Sequence, residues 1–86
     1  MEIEAPLSQE LIRRLRRIEG QVRGLQAMIV EGRDCRSIVT QVSAASKAID
    51  QVGFKLLAAG LASCLNDPDG AEYSVDEVER MFLKLS

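Results

Sequence analysis

The chain has 86 residues, 47% of them apolar but only 3% aromatic, with a formal net charge of −2. That length allows one domain at most, spanning residues 1–86, and a monomer of this size buries only about 60% of its unfolded surface. The complete lack of histidine, with no glycine-rich phosphate loop, removes the Ser-His and Cys-His routes to catalysis, and an enzyme is not expected.

No run reaches about 18 uncharged apolar residues, so no membrane span is expected. The first ten residues, MEIEAPLSQE, are acidic and lack the apolar core of a signal peptide. The expectation is a cytoplasmic protein whose thiols stay reduced. Charge is unevenly placed. Residues 10–36 carry Arg13, Arg14, Arg16, Arg17, Arg23, Arg33 and Arg36 against Glu10, Glu19, Glu31 and Asp34, whereas the charges of the last 20 residues are mostly acidic.

Residues 1–6 read as disordered or loosely held, with Pro6 near a helix start. A first helix is expected from about Ser8 to Glu31. Its apolar seam is Leu11, Leu15, Ile18, Val22, Leu25 and Ile29, spaced 4, 3, 4, 3, 4. That is the alternation of a coiled-coil-like helix. With Leu15, Val22 and Ile29 at heptad position a, the residues Arg13, Arg16, Arg17 and Arg23 fall on the face opposite the seam. Such a face serves solubility and pairing with Glu10 and Glu19, or it grips phosphate through guanidinium forks. No aromatic residue accompanies it, which favours duplex over single-stranded nucleic acid. Gly20 and Gly24 lower helix propensity, and close helix packing is one use for them.

Gly32 reads as a C-cap and Asp34 as the N-cap of a second helix, so the connection is short and the two helices antiparallel. The second seam is Ile38, Val42, Ala45, Ile49, Val52, Leu56 and Ala59. Its last third, FKLLAAGLASCL, is apolar nearly all round, and a helix of that kind must be buried all round. One partner helix from the same chain cannot do this, so an oligomer is expected. Gly53 and Gly60 read as points of close approach. The segment NDPDGAEY is a turn-rich loop. Ser74 and Glu77 fit a capping box opening a third helix with the stripe Val75, Val78, Met81, Phe82 and Leu85.

The two cysteines, Cys35 and Cys64, stand at opposite ends of the second helix. Over 29 residues an unbroken helix separates them by roughly 44 Å. Neither a disulfide nor a shared metal can join them within one chain. Two antiparallel copies about a two-fold axis would bring Cys35 of one beside Cys64 of the other. Either residue could also be simple apolar packing, Cys64 above all, among Leu61, Ala62 and Leu65. Cys35 follows the expected N-cap and is flanked by Arg33 and Arg36, a setting that favours thiolate and makes it the better nucleophile.

The segments RLRRIEGQVRGLQAMI, Arg14 to Ile29, and EGRDCRSIVTQVSAASKAID after it resemble the CsoR/RcnR/FrmR family of bacterial transcriptional repressors. The resemblance runs from about Ser8 to Leu85. It implies an all-α, three-helix protomer forming an antiparallel dimer, and dimers pairing into a disc-shaped tetramer. It also implies operator DNA binding without a helix-turn-helix, with Arg13, Arg14, Arg16, Arg17 and Arg23 as the DNA-binding residues, and release when an inducer binds between second helices of two protomers. The copper branch of the family places a histidine four residues before its second cysteine, where this chain has Gly60. The nickel/cobalt branch needs several histidines, and the formaldehyde branch has one at the Gly60 position. Two cysteines without histidine resemble the persulfide-sensing branch, the CsoR-like sulfurtransferase repressors. That branch implies no cofactor, with persulfides or polysulfides linking Cys35 to Cys64 of the partner chain. The rival expectations are a Cu(I)-responsive repressor using the same two thiolates, since soft ligands select Cu(I), and a helical oligomerisation module with no DNA role.

Overall fold

Three helices follow one another in a computed structural model that describes residues 3–67 and 69–86: α1 (Ala5–Val30), α2 (Cys35–Asn66) and α3 (Val75–Leu85). No strand occurs among the described residues. The all-α, three-helix reading therefore holds.

α1 begins at Ala5, three residues before the expected Ser8. Pro6 lies in its first turn, where a missing N–H costs no helical bond. Ala5 and Pro6 are thus helical rather than disordered, while residues 1 and 2 lie outside the described residues. The helix ends in a Schellman arrangement. Gly32 takes φ +72°, its N–H donates to the Ile29 carbonyl at 3.1 Å, and the Arg33 N–H donates to Met28 at 2.9 Å. The chain turns tightly there and α2 starts at once. The Asp34 carboxylate accepts from the Ser37 backbone N–H at 3.2 Å and from the Ser37 hydroxyl at 2.7 Å. At α3, the Ser74 hydroxyl accepts from the Glu77 N–H at 3.2 Å. The Glu77 carboxylate accepts from the Ser74 hydroxyl at 3.4 Å, so the second arm of the box closes on the side chain instead of the backbone.

α1 and α3 each pack on α2. The Cα extents are 55 × 26 × 12 Å, a slab one helix thick. Such a layer has no two-sided core. Leu11 and Ile18 of α1 meet Val52 of α2, with Leu7, Ala48 and Leu56 around them. On the other flank Val78 is buried and the Phe54 and Phe82 rings lie 5.5 Å apart. A Cβ on Gly53 would stand 2.7 Å from Leu85 Cδ1, so this glycine does permit close approach of α3. Around Gly20 and Gly24 there is open space instead.

Each expected seam splits in two. On α1, Leu11 and Ile18 are buried, whereas Leu15, Val22 and Ile29 are exposed. On α2, Ala45 and Val52 are buried, whereas Val42 and Ile49 are exposed. Leu15, Ile18, Val22 and Ile49 line an open groove of about 580 Å³. By length and composition alone α2 is apolar enough to cross a membrane, although no run of 18 uncharged residues occurs in it. One 18-residue stretch has a mean hydropathy of 1.3 and is only 17% buried. The charges Arg36, Lys47, Asp50 and Lys55 interrupt any apolar run but are too sparse to lower the average.

Candidate nucleic-acid face and thiol pair

The arginines of α1 divide into two groups. Arg14 is half-buried and turned toward α2. Its guanidinium pairs with Glu10 at 3.3 Å and donates to the Gln51 side-chain oxygen at 3.3 Å. Lys55 of α2 also reaches Glu10, at 3.2 Å, and this hydrogen bond is the main cause that holds the Glu10 carboxyl below its ordinary range. Glu10 thus ties both helices together. Arg13, Arg16, Arg17 and Arg23 are exposed and, among the described residues, form no ion pair. At 100° per residue they lie within one 120° arc of α1, which spans about 15 Å of helix axis from Arg13 to Arg23. Gly20 and Gly24 fall inside the same arc and present bare backbone between the guanidinium groups.

The cysteines differ as well. Cys35 is the first residue of α2 and is exposed. The positive end of the α2 dipole stands beside it. Of its flanking arginines, Arg33 pairs with Glu31 at 3.5 Å while Arg36 is exposed. Cys64, in the last turns of the same helix, is only 5% exposed. Its thiol donates to the backbone carbonyl of Tyr73, with Sγ and O 2.6 Å apart. Nothing in the side-chain pattern announces that partner, because it is a main-chain oxygen in the α2–α3 connection.

α2 runs unbroken between the two thiols. The 29 intervening steps make eight full turns and about 20° more, so both cysteines lie on nearly the same face. Exposed Val39, Val42 and Ile49 lie on or near that face. Gly60, one turn before Cys64, lines a cleft of about 560 Å³ with Leu7, Ser63 and Tyr73. Within one protomer the helix keeps the thiols apart. Among the described residues no group of three or more His, Cys, Asp or Glu side chains could hold a metal ion. The pair fits a soft ion such as Cu(I) by its donor chemistry alone, and only if one thiolate comes from each of two chains.

Among the described residues the chain combines a cationic helix face with a thiol at each end of its long helix. The chain belongs to the metal-sensitive transcriptional repressor family, whose model matches residues 8–84. It is similar to the copper-sensing transcriptional repressor RicR of Mycobacterium tuberculosis, with 45% identity over 53 residues, which are 62% of this chain and 55% of that protein. It is also similar to the copper-sensing transcriptional repressor CsoR of Bacillus subtilis, with 37% identity over 81 residues, or 90% of this chain and 79% of that protein. This chain thus spans little more than half the length of the first relative and about four-fifths of the second.

The family is one of transcriptional repressors and not of enzymes. The expectation that no cofactor is involved is corrected: the family is metal-sensitive, and both relatives are named as copper sensors. The missing histidine weighs against metal in the sequence, but thiolate pairs alone are already soft Cu(I) ligands.

Proposed function

We infer that this chain is a cytoplasmic repressor that binds duplex operator DNA as a homo-oligomer and releases it when Cu(I) is captured between Cys35 of one protomer and Cys64 of another. The observation that carries the reading is the placement of two thiols on one face of an unbroken α2, with exposed Val39, Val42 and Ile49 on or beside it. Two such helices laid antiparallel bury that apolar surface and bring opposite ends together. The copper-sensing relatives support Cu(I) as the ligand. Cu(I) bound there would cross-link two helices through soft thiolates. The chain's own contribution is to keep one thiol open at a helix N-terminus and the other sheltered.

DNA binding is ascribed to Arg13, Arg16, Arg17 and Arg23, whose guanidinium groups are free to grip phosphates. Arg14 supports the helix that carries them, since its own guanidinium is engaged with Glu10 and Gln51.

A second reading rests on Gly60, which supplies no donor where a third ligand would stand. In that reading the inducer is a persulfide or polysulfide. The Cys35 thiolate attacks the outer sulfur of a persulfide RSSH, forming Cys35–S–SH and releasing RSH. The partner's Cys64 thiolate then attacks the Cys35 sulfur and expels hydrosulfide, leaving a disulfide. A longer donor leaves extra sulfurs in the bridge.

The test is a mobility-shift assay on operator DNA, run with buffered Cu(I) and with glutathione persulfide in parallel. Release by stoichiometric Cu(I), abolished in Cys35→Ser and Cys64→Ser, is the expected result. Release by persulfide alone, with a covalent dimer in denaturing, non-reducing mass spectra, transfers the site to reactive sulfur. Failure to bind DNA at all leaves a helical oligomerisation module.

A further inference from the structure

Cys64 is the less accessible half of the pair, and Tyr73 in the α2–α3 connection lies against it. Its thiol donates to the Tyr73 carbonyl. Tyr73 immediately precedes Ser74, whose hydroxyl caps α3 through the Glu77 N–H and whose carbonyl accepts from the Val78 N–H at 3.1 Å. Val78 is buried against α2. Farther along, α3 is held at Gly53 by Leu85 and at Phe54 by Phe82. The far end of α3 is therefore anchored by packing, and its near end is held both by buried Val78 and by the segment that Cys64 contacts.

In this contact the sulfur is the donor and the carbonyl the acceptor, so the hydrogen bond exists only with the thiol form. As a thiolate it would set a negative charge against the negative end of the carbonyl dipole. Once bonded to a metal or to another sulfur, it has no proton to donate. The hydrogen bond and inducer capture are mutually exclusive.

We propose that the Cys64 thiol and the Tyr73 carbonyl form a latch, and that capture of an inducer at Cys64 opens it, freeing the α2–α3 connection and the first turn of α3. This rests on the reading of Cys35 and Cys64 as the inducer pair, and it names the part of the fold that responds. The open thiol, Cys35, meets the inducer first; the latched thiol converts that encounter into a change of shape.

The latch can be tested without DNA and without choosing between inducers. In Cys35→Ser, Cys64 is the one remaining thiol. Methyl methanethiosulfonate transfers its methylthio group to the Cys64 thiolate and releases methanesulfinate, with mass spectrometry confirming the mixed disulfide. Tyr73 is the chain's one tyrosine and there is no tryptophan, so intrinsic fluorescence reports on this segment directly. The capped protein is expected to show altered tyrosine emission and amide exchange at Glu77 and Val78 faster by about tenfold or more, equal to a drop of about 1.4 kcal/mol in local stability. Cys64→Ala should show the fast exchange with no reagent. Cys64→Ser retains a hydroxyl donor and should stay slow and unresponsive, with circular dichroism confirming that both variants are helical. The proposal is overturned if capped Cys64 leaves emission and exchange unchanged, if Cys64→Ala is as protected as the native chain, or if the reagent never modifies Cys64. A chain that opens on capping yet fails to bind operator DNA would sink the repressor reading and leave the latch standing.

Discussion

Replacing Arg16 and Arg14 separately by alanine distinguishes the two kinds of arginine on α1. From Arg13 to Arg23 the exposed strip covers about 15 Å of helix axis. Duplex DNA carries one phosphate charge per about 1.7 Å, so the strip faces roughly nine phosphates, more than enough for four guanidinium groups. Each guanidinium–phosphate pairing removed should flatten the slope of log K against log salt by about 0.9. Over a fourfold rise in salt that difference amounts to about 3.5-fold in affinity, well within reach of fluorescence anisotropy titrations at about 50 and 200 mM salt. Arg16→Ala should produce this change once for every DNA-bound subunit that uses the residue. The quadruple variant at Arg13, Arg16, Arg17 and Arg23 should lose up to about 3.6 units of slope per such subunit. Arg14→Ala should leave the slope unchanged and lower the thermal midpoint, because its partners are Glu10 and Gln51. An Arg14→Ala slope as flat as that of Arg16→Ala, or a quadruple variant with native salt dependence, would refute the division.

Ile49 is 50% exposed, so Ile49→Glu should leave the protomer helical while shifting the native oligomer toward monomer in light scattering; a native chain already monomeric at micromolar concentration ends the assembly reading. Ile18 is 6% exposed in the α1–α2 core, and Ile18→Ala should cost about 2–4 kcal/mol in urea unfolding at fixed protein concentration. Gly32→Ala should cost about 1–2 kcal/mol from backbone alone, since φ is +72° and nothing lies within 4 Å of the added methyl; a neutral outcome would mean the turn is not held in solution. Donation from Ser37, first from its hydroxyl and then from its backbone N–H, holds the Asp34 carboxyl below its ordinary value of 3.8. The cap's stabilisation is therefore complete above that pH and is lost as pH falls through the lower folded value, so an acid titration of helicity should show a component that Asp34→Asn abolishes.

Local physics was legible in the residues. The 3- and 4-residue spacing of apolar side chains required two long helices, Gly32 had to absorb a positive φ, and Asp34 and Ser74 marked helix starts by accepting the backbone N–H groups that a first turn leaves free. The cysteine spacing alone kept the thiols of one chain apart, because a helix has a fixed rise. What the pattern could not express was which part of each seam meets its own chain. Leu11 and Ile18 look like Leu15 and Val22 in sequence, for a heptad marks an apolar direction and not the identity of the partner; the crossing of α1 on α2 decided it. The same crossing set Arg14 against Gln51 and Lys55 against Glu10, through pairs 37 and 45 positions apart that no local rule links. The partner of Cys64 was hidden for a different reason: it is a carbonyl that every residue carries, and only the path of the α2–α3 connection brings that of Tyr73 to the sulfur.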